Sequence, residues 1–243
     1  MRRFALGTMC LIAVAGAACA ENSNSWRDCV SGDAALSIEA CTSIIEAGPQ
    51  QGADLSVAYY NRGNAHYRNR DFDRAIADYD RTIKINPKHS IAYFNRGNTN
   101  SEIGQLDRAI ADYGEAIKLY PKYPAAYVNR GKAYYSKRDL GPALRDFDTA
   151  IELNPKYAMA YLNRGIAYRE QGKFDQAIAD FNMAIKLNRK QADAHNSRGI
   201  TYQKMGEPEK AAADFRKALQ IDPSYASAKE NLEKLKAVED DQE

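Results

Sequence analysis

Between residues 158 and 191, Tyr161, Gly165 and Tyr168 step by four and then three, which places them on one face of a helix. Ala177, Phe181 and Ala184 repeat that step on a second stretch. The intervening "QGKFD" holds Gly172, a helix stop, so the pattern predicts two antiparallel helices joined by a tight turn. The two-faced pattern recurs along the chain. Gly63, Gly97, Gly131, Gly165 and Gly199 stand 34 residues apart, and so do Ala75, Ala109, Ala143, Ala177 and Ala211. Tyr79, Tyr113, Phe147, Phe181 and Phe215 keep the same register. Pro87, Pro121, Pro155 and Pro223 close four of the five periods, and Arg189 takes that place in the fourth. A proline biases the preceding residue away from helix, so it separates one pair from the next.

Such a pair leaves an apolar face uncovered, so neighbouring pairs must stack, and the pattern predicts an all-α array. Five copies in register at this spacing resemble the tetratricopeptide repeat (TPR), with units 56–89, 90–123, 124–157, 158–191 and 192–225. The resemblance implies a TPR α-solenoid, a right-handed superhelix of antiparallel helix pairs. With each unit numbered from one, the small residues at positions 8 and 20 let the two backbones approach closely. His66 and His195 replace tyrosines at packing positions, which assigns them to structure.

Arg62, Arg96, Arg130, Arg164 and Arg198 occupy position 7, where TPR units usually carry leucine. Asp78, Asp112, Asp146, Asp180 and Asp214 follow each by 16 residues, at position 23. Positions 7 and 23 are symmetric about the turn, so an antiparallel hairpin brings them level. Five Arg–Asp pairs between the two helices are expected, with the bidentate geometry that guanidinium and carboxylate favour.

The ends depart from the repeat. Residues 1–20, "MRRFALGTMCLIAVAGAACA", combine two arginines, a short apolar run and small residues at Ala18 and Ala20, the pattern of a secretory signal cleaved before Glu21. Residues 21–55 read as an irregular cap of two short helices around Ser31–Asp33, the second N-capped by Asp33 and stopped at Gly48-Pro49. Residues 226–238 read as a capping helix and 239–243 as a frayed tail.

Composition adjusts this picture at two points. Removing residues 1–20 lowers Lys+Arg from 34 to 32, equal to the 32 Asp+Glu, so the simplest electrostatic warrant for nucleic-acid binding disappears. Of four cysteines, Cys10 and Cys19 leave with the signal, and Cys29 and Cys41 remain as one expected disulfide in an exported chain. Closing that loop contributes about 3 kcal/mol in the chain-entropy picture. These features together point to the periplasm, with a secreted chain and a form lipid-anchored through Cys19 as the alternatives, and with no membrane span after the signal is removed.

With positions 4, 8 and 11 used for packing, the remaining side of the first helix carries Asn61, Asn95, Asn129 and Asn163 at position 6. In TPR arrays this side lines the concave surface, and the series is similar to the asparagine ladder in the TPR superhelix of O-linked N-acetylglucosamine transferase. An asparagine offers a donor and an acceptor, matching the two needs of a peptide unit. Val57 and Tyr60, Ile91 and Phe94, Val128, and Met159 and Leu162 flank the ladder and are expected to add apolar contacts. The alternative is that these side chains pack on neighbouring helices and the asparagines bond within the stack. A chaperone-type carboxylate clamp is incomplete: Asn64 and Asn95 match, but Tyr60, Ala125 and Asn129 replace its other members.

No nucleophile elbow, phosphate loop or metal box is present in the sequence, so neither cofactor nor metal is expected. The reading is a non-enzymatic scaffold that binds a protein or peptide segment. An envelope-acting enzyme or accessory subunit, and a self-assembling protein, are the alternatives.

Overall fold

The computed structural model describes residues 25–47 and 52–240, and among these all regular structure is helical. The signal and the Gly48-Pro49 helix stop lie outside the described residues. The chain divides into two compact units between Tyr120 and Pro121. The first contains α1 (25–29), α2 (Ala34–Glu46), α3 (Gly52–Arg68), α4 (Phe72–Ile85), α5 (Ser90–Glu102) and α6 (Leu106–Leu119). The second contains α7 (Pro124–Ser136), α8 (Leu140–Leu153), α9 (Ala158–Glu170), α10 (Phe174–Leu187), α11 (Ala192–Lys204), α12 (Pro208–Ile221) and α13 (Ala226–Asp240). Within each unit consecutive helices pack as the pairs of a TPR α-solenoid.

Local chemistry sets the two kinds of turn. Inside each pair, the backbone at position 15 is left-handed, with φ of 75° at Gly104, 73° at Gly172 and 76° at Gly206. Arg70 and Arg138 adopt the same conformation at φ 60° and 64°, although a Cβ disfavours it. Between pairs, an Asx turn closes the second helix: Asn86, Asn154 and Asn188 Oδ1 each accept from the backbone N–H two residues on, at 3.1, 3.1 and 3.2 Å. Arg189 can therefore replace proline without loss of the turn, because Asn188 supplies the bond.

The core repeats with the sequence. Tyr79, Tyr113, Phe147, Phe181 and Phe215 are fully buried, and each lies against the glycine of its own pair. A Cβ built on Gly131 would come within 2.6 Å of Phe147 Cε1, and one on Gly165 within 2.8 Å of Phe181 Cε1. The close approach expected between positions 8 and 20 is thus set chiefly by the ring from position 24. Burying one such ring contributes about 1.5–3 kcal/mol.

Two features at the ends, the start of α3 and the end of α13, were not expected. α3 starts at Gly52, one turn before the register position at which α5, α7, α9 and α11 begin. α13 runs to Asp240, past the expected end at 238, and places Leu232 and Leu235 against Ala211, Ala212 and Phe215. At the other end Cys29 and Cys41 are joined, Cα–Cα 4.7 Å, tying α1 to α2 in a buried cluster with Ile44 and Ala58. No helix of the described residues is long and apolar enough to cross a membrane.

Candidate functional site

The first helices α3, α5, α7, α9 and α11 are fixed in azimuth by the arginines. Arg62 donates through Nε and Nη2 to Asp78 at 2.9 and 2.8 Å, and Arg130, Arg164 and Arg198 grip Asp146, Asp180 and Asp214 in the same two-bond manner. Arg96 holds Asp112 through the same two nitrogens. These hydrogen bonds keep the Arg62, Arg130, Arg164 and Arg198 guanidinium pKa values above their ordinary range despite partial burial.

The third arginine donor has a job that pair symmetry does not reveal. Nη1 of Arg62, Arg96, Arg164 and Arg198 reaches the preceding helix, at Thr42, Asp80, Asp148 and Asn182. One guanidinium therefore links both helices of its pair and the pair before it. Tyr59, Tyr93, Tyr127 and Tyr161 lie beneath the guanidinium carbons at 5.5–5.7 Å, adding a cation–π contact.

In the first unit this scaffold presents Val57, Asn61, Asn64 and Arg68 along one face of α3, and Ile91, Asn95, Asn98 and Glu102 along the matching face of α5. A cleft of about 230 Å³ opens there, lined by Asn64, Tyr67, Arg68, Tyr79, Asn95 and Asn98. Its floor is a hydrogen-bonded network. Asn64 Oδ1 accepts from Tyr79 Oη and Asn95 Nδ2, both at 2.8 Å, and Asn95 Nδ2 also donates to Tyr60 Oη at 3.2 Å. Tyr113 Oη donates to Asn98 Oδ1 at 2.8 Å, and Arg68 Nη2 donates to Ser31 O at 3.2 Å. Because Asn64 Oδ1 is occupied twice, its NH₂ is the group it offers to the cleft. Burial raises the Tyr79 and Tyr113 phenol pKa values far above the ordinary range, so both stay protonated donors.

The expected site residues divide into three groups. Val57 and Ile91 are exposed at the edge of this face, 42% and 47% accessible, and Met159 is exposed in the second unit. Tyr60 and Phe94 turn inward: their ring centroids lie 6.3 Å from Tyr79 and 5.8 Å from Tyr113. Val128 and Leu162, at the same position 5, are core residues, 2% and 4% accessible, packed on Ala143 and Phe147 and on Ala177 and Phe181. Their assignment to an exposed strip is corrected accordingly, because the ring at position 24 extends toward position 5 and covers it.

The ladder is also less uniform than its sequence. Asn95 is part of the floor, and Asn163 Nδ2 closes on its own helix at Met159 O, 2.7 Å. Asn61 and Asn129 are half-buried on α3 and α7. What the ladder reading missed is position 9. Asn64 and Asn98 occur with Tyr79 and Tyr113, whereas Lys132, Ile166 and Ile200 occur with Phe147, Phe181 and Phe215. The tyrosine hydroxyl and the position-9 amide form a bonded couple in the first unit, and the second unit lacks both partners.

Comparison with known proteins agrees with the geometry. Models described as tetratricopeptide repeat match residues 60–124, 124–157, 146–179 and 192–225, and one described as TPR repeat matches 167–206, so the matches run from 60 to 225 without a gap. No curated protein matches the chain. Among solved structures, MamA is similar at 28% identity and TM-score 0.62, over 72% of this chain and 95% of MamA. YrrB, a TPR protein with an unusual peptide-binding site, is similar at 24% identity and TM-score 0.60, over 79% of this chain and 96% of YrrB. TTC0263, a thermophilic TPR protein of Thermus thermophilus, is similar at 24% identity and TM-score 0.62, over 74% of this chain and 98% of its own. The chain belongs to the tetratricopeptide repeat family.

Proposed function

We propose that the protein is a non-enzymatic scaffold of the cell envelope that binds an extended peptide segment on the first-helix face of its first unit. The observation that carries this reading is the cleft between α3 and α5. It presents the amide groups of Asn64, Asn95 and Asn98 on the helix faces that also carry exposed Val57 and Ile91. Amides that donate and accept can hold a peptide backbone with little regard for sequence, and the two aliphatic side chains add apolar anchors. Export to the periplasm is supported by the character of residues 1–20 and by the Cys29–Cys41 pairing, which an oxidising compartment sustains.

A display library of unstructured random peptides, panned against the purified chain, tests the binding. Selected peptides are expected to lose at least tenfold in affinity for an Asn64→Ala/Asn95→Ala variant whose helical content is unchanged. Equal affinity for both proteins rejects the cleft as the site. Cell fractionation with mass determination of the N-terminus tests export; a mature protein beginning at Glu21 in the periplasmic fraction is the expected result, and an uncleaved cytosolic chain rejects it.

A further inference from the structure

The segment 25–47 repeats the TPR register without the TPR sequence. Asp33 caps α2 through Leu36 N at 2.9 Å as Asp71 caps α4 through Arg74 N at 3.4 Å. Thr42 takes Arg62 Nη1 where Asp80 takes Arg96 Nη1. Two cavities confirm the alignment. One of about 330 Å³ is walled by Ile38 and Thr42 with Arg62 and His66, and one of about 410 Å³ by Ile76 and Asp80 with Arg96 and Asn100. The α2 residues are offset from their counterparts by 38 and the others by 34. α2 is thus the second helix of a sixth unit, and α1 stands in the place of its first helix.

In that alignment Ser37 stands at position 20 and Cys41 at position 24, where the regular units have alanine and a large ring. Cys29 meets both of them. Its carbonyl accepts from Ser37 Oγ at 2.7 Å, and its sulfur is bonded to Cys41. Gly199 keeps the same two neighbours, since a Cβ there would lie 2.6 Å from Phe215 Cε1 and 3.2 Å from Ala211 O. The disulfide therefore stands where the glycine–ring contact stands in the other units. A cysteine brings far less apolar surface than a phenylalanine, so the non-covalent contact between α1 and α2 is weaker than the glycine–ring contact of the regular units. The closed cap then depends on the covalent link.

The cap also reaches the candidate cleft. Ser31, in the turn between α1 and α2, accepts from Arg68, and Arg68 lines the cleft beside Asn64. We propose that the Cys29–Cys41 bond is a redox-set lock: the reduced chain has an open cap and a free Arg68, and oxidation closes the cap and fixes Arg68 at the edge of the cleft. Closing removes two electrons and two protons from the two thiols, taken by a disulfide donor that leaves as a dithiol. Both cysteines are fully buried in the closed cap. Exchange therefore requires α1 to move away first, and the bond is set as the cap folds.

The lock rests on the register, and only its consequence for ligand rests on the peptide-binding reading, so its test uses no peptide. Hydrogen exchange of α2 amides and the Arg68 Nε–H resonance are compared in the oxidised chain, the Cys29→Ala/Cys41→Ala variant and the Cys29→Gly/Cys41→Phe variant. The alanine pair is expected to exchange at least tenfold faster throughout α2 and to shift the Arg68 resonance, with α8–α12 unchanged. The glycine–phenylalanine pair, which restores the contact of the regular units, is expected to recover protection without sulfur. Unchanged α2 exchange in the alanine pair overturns the lock. Failure of the glycine–phenylalanine pair to protect α2 overturns the assignment of Cys29 and Cys41 to positions 8 and 24.

Discussion

Replacing Gly131 with alanine reverses the usual sign of a helix substitution. In an open helix, glycine to alanine stabilises by about 1 kcal/mol through backbone entropy and solvation. At Gly131 the added methyl would sit 2.6 Å from Phe147 Cε1, 2.9 Å from Cδ1 and 3.0 Å from Cζ. Carbon atoms prefer roughly 3.5–4.0 Å, so the ring must retreat by about 1 Å. It has nowhere to go without moving neighbours: Phe147 is packed with Ala143, Ala150, Ala160 and Ala167, all buried, and their Cβ atoms move only with the backbone. Overpacking of this kind costs about 1–3 kcal/mol, and the propensity gain offsets about 1 kcal/mol of it, leaving a net loss of up to about 2 kcal/mol. For a chain of this size that lowers the midpoint by about 4 °C. Gly32→Ala is the control. Its backbone is outside the left-handed region and an added Cβ meets nothing within 4 Å, so a gain of about 0.5 kcal/mol is expected from the reduced freedom of the unfolded chain. Thermal and urea unfolding followed by circular dichroism compares both variants with the parent. A Gly131→Ala protein at least as stable as the parent refutes the glycine–ring account of the core.

Arg164→Met leaves the Asp180 side chain, 7% accessible, without its partner and should cost about 2–3 kcal/mol in urea unfolding; adding Asp180→Leu should recover most of that loss, and a purely additive double variant would contradict the pairing. Arg138→Gly relieves a left-handed residue at φ 64° and should gain about 0.5 kcal/mol by the same assay, because the conformational strain it removes exceeds the extra freedom of the unfolded chain. Burial lowers the His66 and His89 pKa values below the ordinary 6.5, and His89 Nδ1 must stay unprotonated to accept from Ala92 N. A depressed imidazole pKa means that protonation favours the unfolded chain, so this stability is complete above pH 6.5 and declines as the pH falls through the folded values. A His66→Tyr/His89→Asn protein should show a flatter fall in melting midpoint from pH 7 to pH 5, and an unchanged slope would remove these groups from the titration.

Much of the architecture was legible because the determinants are local or symmetric. The 34-residue period specifies the helices, and positions 7 and 23 lie level in any antiparallel hairpin, so the Arg–Asp pairs follow from spacing alone. The inter-pair bonds of Arg62, Arg96, Arg164 and Arg198 were hidden because the acceptor changes from threonine to aspartate to asparagine among Thr42, Asp80, Asp148 and Asn182. Helical spacing assigned Val128 and Leu162 to an open face because it registers azimuth but not how far a neighbouring ring extends. The floor of the cleft was present in the sequence as the joint change of tyrosine with asparagine at positions 24 and 9, a signal that a search for identical residues passes over.

The peptide-binding reading is tested most directly at the two side-chain amides that would make it. In a sample with assigned asparagine NH₂ resonances, a display-selected peptide is titrated to saturation. The account predicts that the Asn64 and Asn95 side-chain signals shift together along one binding isotherm, with those of the exposed Val57 and Ile91 methyl groups following the same curve. Saturable binding that leaves all four sets of signals in place would contradict it.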